Sequence, residues 1–242
     1  SINYYNTAHT ASPCKHYGAY MGLEPAGPMI PKGVTTRMFG SAAYGNRQVF
    51  HYYGNLVGAD GSLEGAERAE KYAHLIRERA IDARVAMFWP LVQAWLESQP
   101  VSKDIALAMS YVRRQYEAWM LGETLVMDGA LDRVGVLIML GAKFTRKPVL
   151  EKIAEWVKCG GVLITDQRTT DIEGDCVQAF DRALGFSEQS QFCGGITTFY
   201  PNPQPWNSRF ADQDMCISGS SWWKLMPDVV PLMRSRPTQY DP

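Results

Sequence analysis

One carboxylate, Glu24, stands at the end of a short run of small, apolar and aromatic residues (AYMGL, residues 19–23), and a turn rich in proline and glycine follows it. If this run is a buried strand, Glu24 lies at its C-terminal end, the edge where ligands and catalytic groups gather in α/β proteins. A glutamate at a strand exit can also cap a turn or pair with a surface arginine, because exposed glutamates are the norm. The stretch therefore makes Glu24 a candidate catalytic carboxylate with a structural alternative.

A second strand is predicted to bring polar and aromatic side chains to the same edge. Residues 34–44 can form a helix that contains a cluster of small residues, and residues 48–53 (QVFHYY) are typical of a strand. A strand, a helix and a strand in succession form a βαβ unit, whose two strands are parallel. The tripeptide His51-Tyr52-Tyr53 is therefore expected at the same sheet edge as Glu24.

The elements on either side of this unit follow from their patterns. Residues 1–15 show neither a helical nor an alternating period and are expected to form a loop, whereas residues 63–79 form a charged amphipathic helix. Beyond residue 80, strand and helix patterns alternate, which predicts an α/β fold with a doubly wound parallel sheet. The predicted strands are 84–89, 124–127, 134–140 and 162–165, and the predicted helices are 103–121, 147–158 and 176–184.

These patterns divide the chain into three parts. Residues 1–80 contain the βαβ unit, and residues 81–190 contain the alternating strands and helices. After Phe186 the pattern dissolves into stretches rich in proline, asparagine and aromatic residues. We therefore expect residues 191–242 to be an irregular C-terminal extension of short strands and covering segments.

Composition excludes several classes of partner. The 24 Lys and Arg residues nearly balance the 25 Asp and Glu residues, so a formal charge of -1 gives no reason to expect nucleic acid or an anionic membrane. The five cysteines are scattered without a CxxC pair, which argues against a zinc site and against a disulfide framework. No apolar stretch approaches the ~20 residues of a membrane span. The chain is thus expected to be soluble; its compartment stays open, with the cytoplasm slightly favoured.

The second part of the chain resembles a known domain. Four passages carry the likeness: RVAMFW (84–89), Tyr116-Glu117-Ala118 with Gly122, VLIML (136–140) and, most specifically, LEKIAEWVKCGGVLIT (150–165). They resemble the class I glutamine-amidotransferase-like, flavodoxin-like domain that follows the catalytic barrel in family 42 β-galactosidases. The similarity covers residues 81–186 and identifies Tyr116-Glu117-Ala118 with the end of the first helix.

The resemblance implies that this domain is catalytically silent. Amidotransferases of this fold carry a nucleophilic cysteine at a strand-to-helix elbow, whereas here the strand 162–165 runs into Asp166-Gln167-Arg168-Thr169. Cys159 precedes that strand and would lie at its other end. In the galactosidases the domain helps to assemble trimers, so a homo-oligomer, a trimer by resemblance, is expected.

For the first part, the same resemblance implies the end of a (β/α)8 barrel. Glu24 matches the nucleophile at the end of the seventh strand, and residues 49–53 match the eighth strand. The resemblance makes Arg37 and Arg47 possible hydrogen-bond donors. It makes four further side chains candidates for sugar stacking and hydroxyl contacts: Tyr20, His51, Tyr52 and Tyr53.

The leading hypothesis is part of a retaining glycoside hydrolase acting on β-galactosides or related sugars, with no metal or organic cofactor. The acid/base glutamate of the family lies on the fourth strand, which this chain does not contain. Either the acid comes from a companion polypeptide or a missing N-terminal barrel segment, or the chain is a relic of such an enzyme, and the isolated chain is expected to be inactive.

Two other hypotheses belong to different classes. The chain could be a non-catalytic assembly or carbohydrate-binding module that uses Trp206, Trp222 and Trp223, although each tryptophan can equally pack a C-terminal segment onto the sheet. A flavodoxin-like nucleotide or FMN binder is disfavoured, because no glycine-rich phosphate loop follows Trp89.

Overall fold

The protein is described here by a computed structural model. The residues whose backbone the structure describes are 2–23, 31–43, 48–49, 67–68, 70–72, 74, 83–98, 112, 116–188, 190–201, 215–223, 225–230 and 233–235. All structural statements below concern these residues. The described residues contain no helix that is long and apolar enough to cross a lipid bilayer.

The N-terminal part contains a small parallel βαβ unit. Helix α1 (Ile2–His16) precedes strand β1 (Gly22–Leu23), helix α2 (Pro31–Ala43) and strand β2 (Gln48–Val49). The two strands pair in parallel, with Gly22 opposite Gln48 and Leu23 opposite Val49. The predicted parallel arrangement is confirmed. Helix α2 begins at Pro31, before the predicted start at residue 34, and the fixed φ of proline suits a first helical turn.

The second part is built on a four-stranded parallel sheet. Its strands are β3 (Val85–Trp89), β4 (Ala118–Gly122), β5 (Val136–Met139) and β6 (Val162–Thr165). Their spatial order is β4-β3-β5-β6, so the chain runs outward in one direction and then reverses past β3. This is the order of the first four strands of a flavodoxin-like fold, and it confirms the predicted fold class.

In the described part of this region, four helices and one 3₁₀ turn follow these strands. They are α3 (Leu91–Leu96), α4 (Glu123–Met127), the 3₁₀ turn Ala130–Arg133, α5 (Lys147–Lys158) and α6 (Gln178–Ala183). The bounds of α5 and β6 are those predicted, and β3, β5 and α6 lie within their predicted ranges. Of the predicted helix 63–79, the described residues 67–68 and 70–72 are helical.

One face of the sheet is closed by large apolar side chains. Phe88, Leu121, Leu137 and Met139 point to it from the strands, and helices α4, α5 and α6 cover it. The helix side chains buried on this face are those of Leu125, Val126, Val149, Leu150, Ile153 and Phe180. This face forms the main hydrophobic core.

Helix α1 packs on the opposite face, over β3 and β4. Its buried Ala8 and Ala11 contact a layer that includes Met87, Ala118 and Met120. Small residues on the helix let its backbone approach the strands closely. The N-terminal part is therefore packed directly against the sheet of the second part.

The turn between α5 and β6 explains the Gly160-Gly161 pair. Gly160 has a φ of 102°, a conformation that side chains other than glycine rarely adopt. A Cβ atom on Gly161 would collide with the indole ring of Trp156. Gly160 is thus favoured by its backbone conformation, and Gly161 is favoured because the Trp156 ring leaves no room for a side chain.

The C-terminal part forms an antiparallel sheet of strands β7 (Gln191–Pro201), β8 (Met215–Trp223) and β9 (Met233–Ser235), in the order β8-β7-β9. The expectation of an irregular extension with short strands is wrong for β7 and β8. These strands have 11 and 9 residues and pair in antiparallel fashion from Gln191 opposite Trp223 to Phe199 opposite Met215.

The predicted loop at residues 1–15 is also wrong, because this segment is helix α1. Among its described side chains (residues 8–16), the buried ones are Ala8, Ala11 and Ser12, which do not form a stripe of large apolar residues. The helix depends on the strands beneath it for its stability.

The predicted helix 103–121 is wrong at its C-terminal end, and the predicted strand 124–127 is also wrong. Residues 118–121, assigned to the end of a helix, belong to strand β4, and residues 124–127, assigned to a strand, belong to helix α4. Ala118, Trp119, Met120 and Leu121 are all buried, since α1 covers one side of β4 and the main core covers the other. A segment that is apolar on all sides fits a strand and a buried helix equally well.

Candidate functional site

The edge formed by β1 and β2 is the place where the sequence puts the catalytic carboxylate. The register carries both strands toward the same edge, where Leu23 and Val49 are the last paired residues. Glu24 is the residue after Leu23, and His51, Tyr52 and Tyr53 follow Val49 along the chain. These four residues lie outside the described residues, so their contacts stay a prediction.

Three further sequence candidates are Tyr20, Arg37 and Arg47. Tyr20 precedes the strand, instead of belonging to it as predicted, and 60% of its side chain is exposed. Arg37 is part of helix α2, and its side chain and that of Arg47 are outside the described set. The exposed Tyr20 ring is available for contact with a ligand.

The backbone next to Tyr20 is held by Cys14 of helix α1. The Cys14 thiol donates a hydrogen bond to the Tyr20 carbonyl at 3.9 Å. Burial raises the pKa of this thiol, which keeps it protonated and weakens it as a nucleophile. Cys14 therefore serves the positioning of residues 19–21 rather than chemistry.

The C-terminal edge of the four-stranded sheet holds a buried carboxylate that the sequence analysis missed. Glu123 directly follows β4, is almost fully buried, and accepts hydrogen bonds from the Leu91 and Val92 amides at 3.2 and 3.0 Å. Its Oε1 atom also accepts the Thr145 hydroxyl at 3.1 Å. One side chain thus joins the exits of β3, β4 and β5.

Gln93 closes the crevice between β3 and β5, the point at which the strand order reverses. Its amide nitrogen donates to the Gly141 carbonyl at 3.2 Å, and its amide oxygen accepts the Lys143 N–H at 2.8 Å. In open α/β sheets, this reversal point is where ligands bind. Here a buried side chain of the protein fills it.

The mouth of this crevice carries an exposed ion pair. Lys143 Nζ lies 2.9 Å from a carboxylate oxygen of Glu97, and the hydrogen bond from Lys143 holds the pKa of Glu97 below its ordinary value. Gln93 Nε2 donates to the same carboxylate at 3.4 Å. These contacts tie helix α3 to the segment that follows β5.

This arrangement argues against the nucleotide or FMN hypothesis. A phosphate at the start of α3 would need the N–H groups that the Glu123 carboxylate already occupies, and its negative charge would oppose that carboxylate. An amidotransferase nucleophile has no place here either. Asp166 follows β6 and accepts the Gly141 amide at 3.0 Å, whereas the exposed Cys159 ends helix α5 at the opposite edge.

A signal for Glu123 was present in the sequence. Residues 118–121 are apolar, and Gly122-Glu123 follows them. Had residues 118–121 been assigned to a strand, Glu123 would have been predicted at the end of that strand, as Glu24 is predicted at the end of the first strand. The error in assigning β4 therefore hid the residue. Gln93 carried no comparable signal, because its role depends on a loop 48 residues further along the chain.

A second cleft, of about 1000 Å³, lies between the sheet domain and residues 225–227. Its wall contains Arg168, which pairs through two nitrogen atoms with the buried Asp181 and lies 5.8 Å from the centre of the Phe186 ring. Arg168 is thus committed to a structural ion pair, and the hydrogen bond to Asp181 raises its pKa further. Among the described side chains no three His, Cys, Asp or Glu residues converge as metal ligands.

No protein-family model matches the chain, and no curated protein sequence is similar enough to match it. Solved structures do match. The β-galactosidase of the haloarchaeon Halorubrum lacusprofundi superposes with a TM-score of 0.64 over 96% of this chain and 40% of that one, at 15% identity. The β-galactosidase of Rahnella sp. R3 gives 0.67 over 97% and 41%, at 12% identity.

The likeness extends to a second sugar specificity. The α-L-fucosidase isoenzyme 2 of Paenibacillus thiaminolyticus superposes with a TM-score of 0.60 over 97% of this chain and 37% of that one, at 12% identity. At such identities the superpositions establish the fold, which this chain shares with parts of glycoside hydrolases. The chain spans about two fifths of the length of these structures.

Proposed function

We propose that this chain is the C-terminal part of a retaining glycoside hydrolase related to the family 42 β-galactosidases. The observation that carries the proposal is the fold likeness over nearly the whole chain, from the β1–β2 unit through the four-stranded sheet. The parallel pairing of β1 with β2 supports it locally, because Glu24 and residues 51–53 follow these two strands in the chain and the strands end at the same edge.

In the proposed reaction, Glu24 attacks the anomeric carbon and forms a glycosyl-enzyme intermediate. A second carboxylic acid, about 5–5.5 Å away, protonates the leaving oxygen and then activates the water that releases the sugar. That acid comes from barrel strands outside this chain. No metal or organic cofactor takes part, and the substrate is a β-galactoside or a related sugar.

The second part of the chain is proposed to serve as a scaffold. At the C-terminal edge of its sheet, where an active site of this fold would otherwise form, Glu123 and Gln93 make hydrogen bonds to the backbone of Val92 and Gly141. By resemblance it contributes to assembly, as a trimer. This filled edge also favours the second candidate function, a non-catalytic assembly or carbohydrate-binding module, should Glu24 prove inert.

The test is covalent labelling of the enzyme assembly that contains this chain. An activated 2-deoxy-2-fluoro-β-galactoside should add one sugar mass to the peptide containing Glu24, because the fluorine slows hydrolysis of the intermediate more than its formation. The Glu24→Gln variant should lose both the label and the activity. Exposed Glu67→Gln serves as the matched control and should retain both.

Labelling of a different glutamate would overturn the assignment of Glu24. An assembly that binds galactosides yet neither hydrolyses them nor takes the label would support the binding module instead. A fluoro-fucoside run in parallel would assign the sugar.

A further inference from the structure

The face of the four-stranded sheet that carries α1 continues beyond this helix. The register aligns Val136 with Val162 and Ile138 with Ile164, and it aligns Met87 with Ile138. Residues paired in this way point to the same side of a sheet. The row that starts under α1 therefore extends to the edge strand β6.

The outer half of this row is exposed. Val162 and Ile164 have 52% and 47% of their surface accessible, whereas Met87 and Met120 in the α1-covered half are buried. Val136 and Ile138 lie between them and are half-buried. We call these four residues the β5–β6 patch. All four are β-branched and apolar, and parallel sheets usually have both faces covered.

The covered half of this face carries helix α1 and, packed against the same cluster, Leu91 and Val112 from the segment between β3 and β4. Helix α1 is attached by a hydrogen bond from the Met120 amide to the Ser12 hydroxyl at 2.9 Å. At its end, His16 Nε2 lies 3.2 Å from the Asp128 carbonyl, and the Tyr17 hydroxyl donates to the Asp128 carboxylate. These contacts join the N-terminal part to the sheet domain through both side chains and backbone.

We infer that the β5–β6 patch is the docking surface for the remaining barrel polypeptide, which would extend the α1 interface across the sheet. The inference rests on the proposed function. In the matched β-galactosidases about three fifths of the chain lies outside the matched region, so polypeptide is available to cover this half. The expected occupant is a barrel segment with an apolar face, since the patch offers no charge to recognise.

A strand added to β6 would not cover this patch. A strand would pair with the backbone edge of β6 and leave the side chains of Val162 and Ile164 as exposed as before. Continuity with α1 instead calls for an element that lies across the face. The same face would then be shared by two segments of one barrel.

Photo-cross-linking in the native assembly tests this. A photoreactive amino acid placed at position 164 should cross-link to a peptide of the barrel segment that is not part of this chain. The same amino acid placed at position 172 is the control, because Ile172 is 48% exposed and lies outside the patch. A cross-link from position 164 to a second copy of this chain, or none at all, would overturn the inference.

A paired substitution adds a quantitative readout. Ile164→Arg should lower the recovered fraction of assembled protein by about tenfold, because a charge would be buried at the contact. Ile172→Arg should leave assembly unchanged, and circular dichroism checks that both variants fold. Equal recovery of the two variants would contradict the docking surface. The covalent labelling of Glu24 is an independent result, so either proposal can fail while the other stands.

Discussion

The two faces of the four-stranded sheet are covered by different means. Helices α4, α5 and α6 follow the strands directly in the chain and close one face with leucine, isoleucine and phenylalanine side chains. The other face receives α1, a helix from the start of the chain, which buries alanine and serine over β3 and β4. In the β5–β6 patch beside it, Val162 and Ile164 are exposed, and Val136 and Ile138 are half-buried.

This difference indicates that the two faces of the sheet have different roles in the protein. The closed face contains enough local apolar surface to form a core by itself. The α1 face is covered partly by α1, a helix without an apolar stripe that relies on close approach and hydrogen bonds, and partly by Leu91 and Val112. The docking inferred above would use the exposed part of this second face.

The largest expected effect comes from a matched pair of substitutions, one on each face. Ile153→Ala on α5 removes a fully buried side chain from the closed face and should lower the free energy of unfolding by about 3 kcal/mol. Ile164→Ala on the β5–β6 patch should cost less than about 1 kcal/mol. Urea denaturation of the 242-residue chain measures both, and equal costs would contradict the contrast between the faces.

Glu123→Ala sharpens the comparison at the edge between the two faces. The substitution leaves the Leu91 and Val92 amides and the Thr145 hydroxyl without their acceptor, which should cost about 2–3 kcal/mol. Hydrogen exchange should quicken at the two amides. Glu151→Ala, exposed on α5, is the control and should change stability by less than about 0.5 kcal/mol. Matching results for Glu123 and Glu151 would show that the network is dispensable.

Ser12→Ala tests the hydrogen bond that attaches α1. The Met120 amide loses its acceptor in a buried position, so the expected cost is about 1–2 kcal/mol, with faster exchange of that amide. Thr124→Ala removes an exposed hydroxyl and serves as control. Unchanged exchange at Met120 would mean that α1 does not depend on this contact.

The smallest expected effect is a pH dependence of the α1 face. His9 lies 5.1 Å from the Trp89 ring, and burial lowers its pKa below the ordinary value of 6.5. Above pH 6.5 its contribution is constant. As pH falls below 6.5, the unfolded chain binds the proton more strongly than the folded one, so the free energy of unfolding decreases.

His9→Gln should therefore reduce the loss of stability between pH 7.5 and pH 5.5, measured by urea denaturation at each pH (conditions chosen to lie about one unit on either side of the ordinary value). Exposed His74→Gln provides the control and should leave that loss unchanged. A pH profile that His9→Gln leaves unaltered would exclude His9 as its source.

The elements that were predicted correctly carry their information locally. Helix α5 has a proline in its first turn, an apolar stripe and a terminal glycine pair, and β6 begins directly after it. Strand β3 is a buried-type run stopped by Pro90. Each of these signals acts within a few residues, so no knowledge of distant contacts is needed.

The candidate site was predictable only to the level of the strand ends. The sequence predicted a parallel βαβ unit in which Glu24 directly follows the first strand. The pairing of β1 with β2 confirms that the two strands of this unit are parallel. It did not identify Glu123 or Gln93, whose partners lie 22 to 50 residues away in the chain. Such partners are brought together by the strand order.

The sequence by itself determined the α/β class, the parallel strands and the helices whose apolar stripe matches their period. Only the tertiary structure decided that residues 2–16 are helical, that residues 118–122 are a strand, and that β6 is exposed on one side. The physical reason is the same in each case. Short segments of small or uniformly apolar residues have no strong local preference, so the free energy of packing against distant strands selects their conformation.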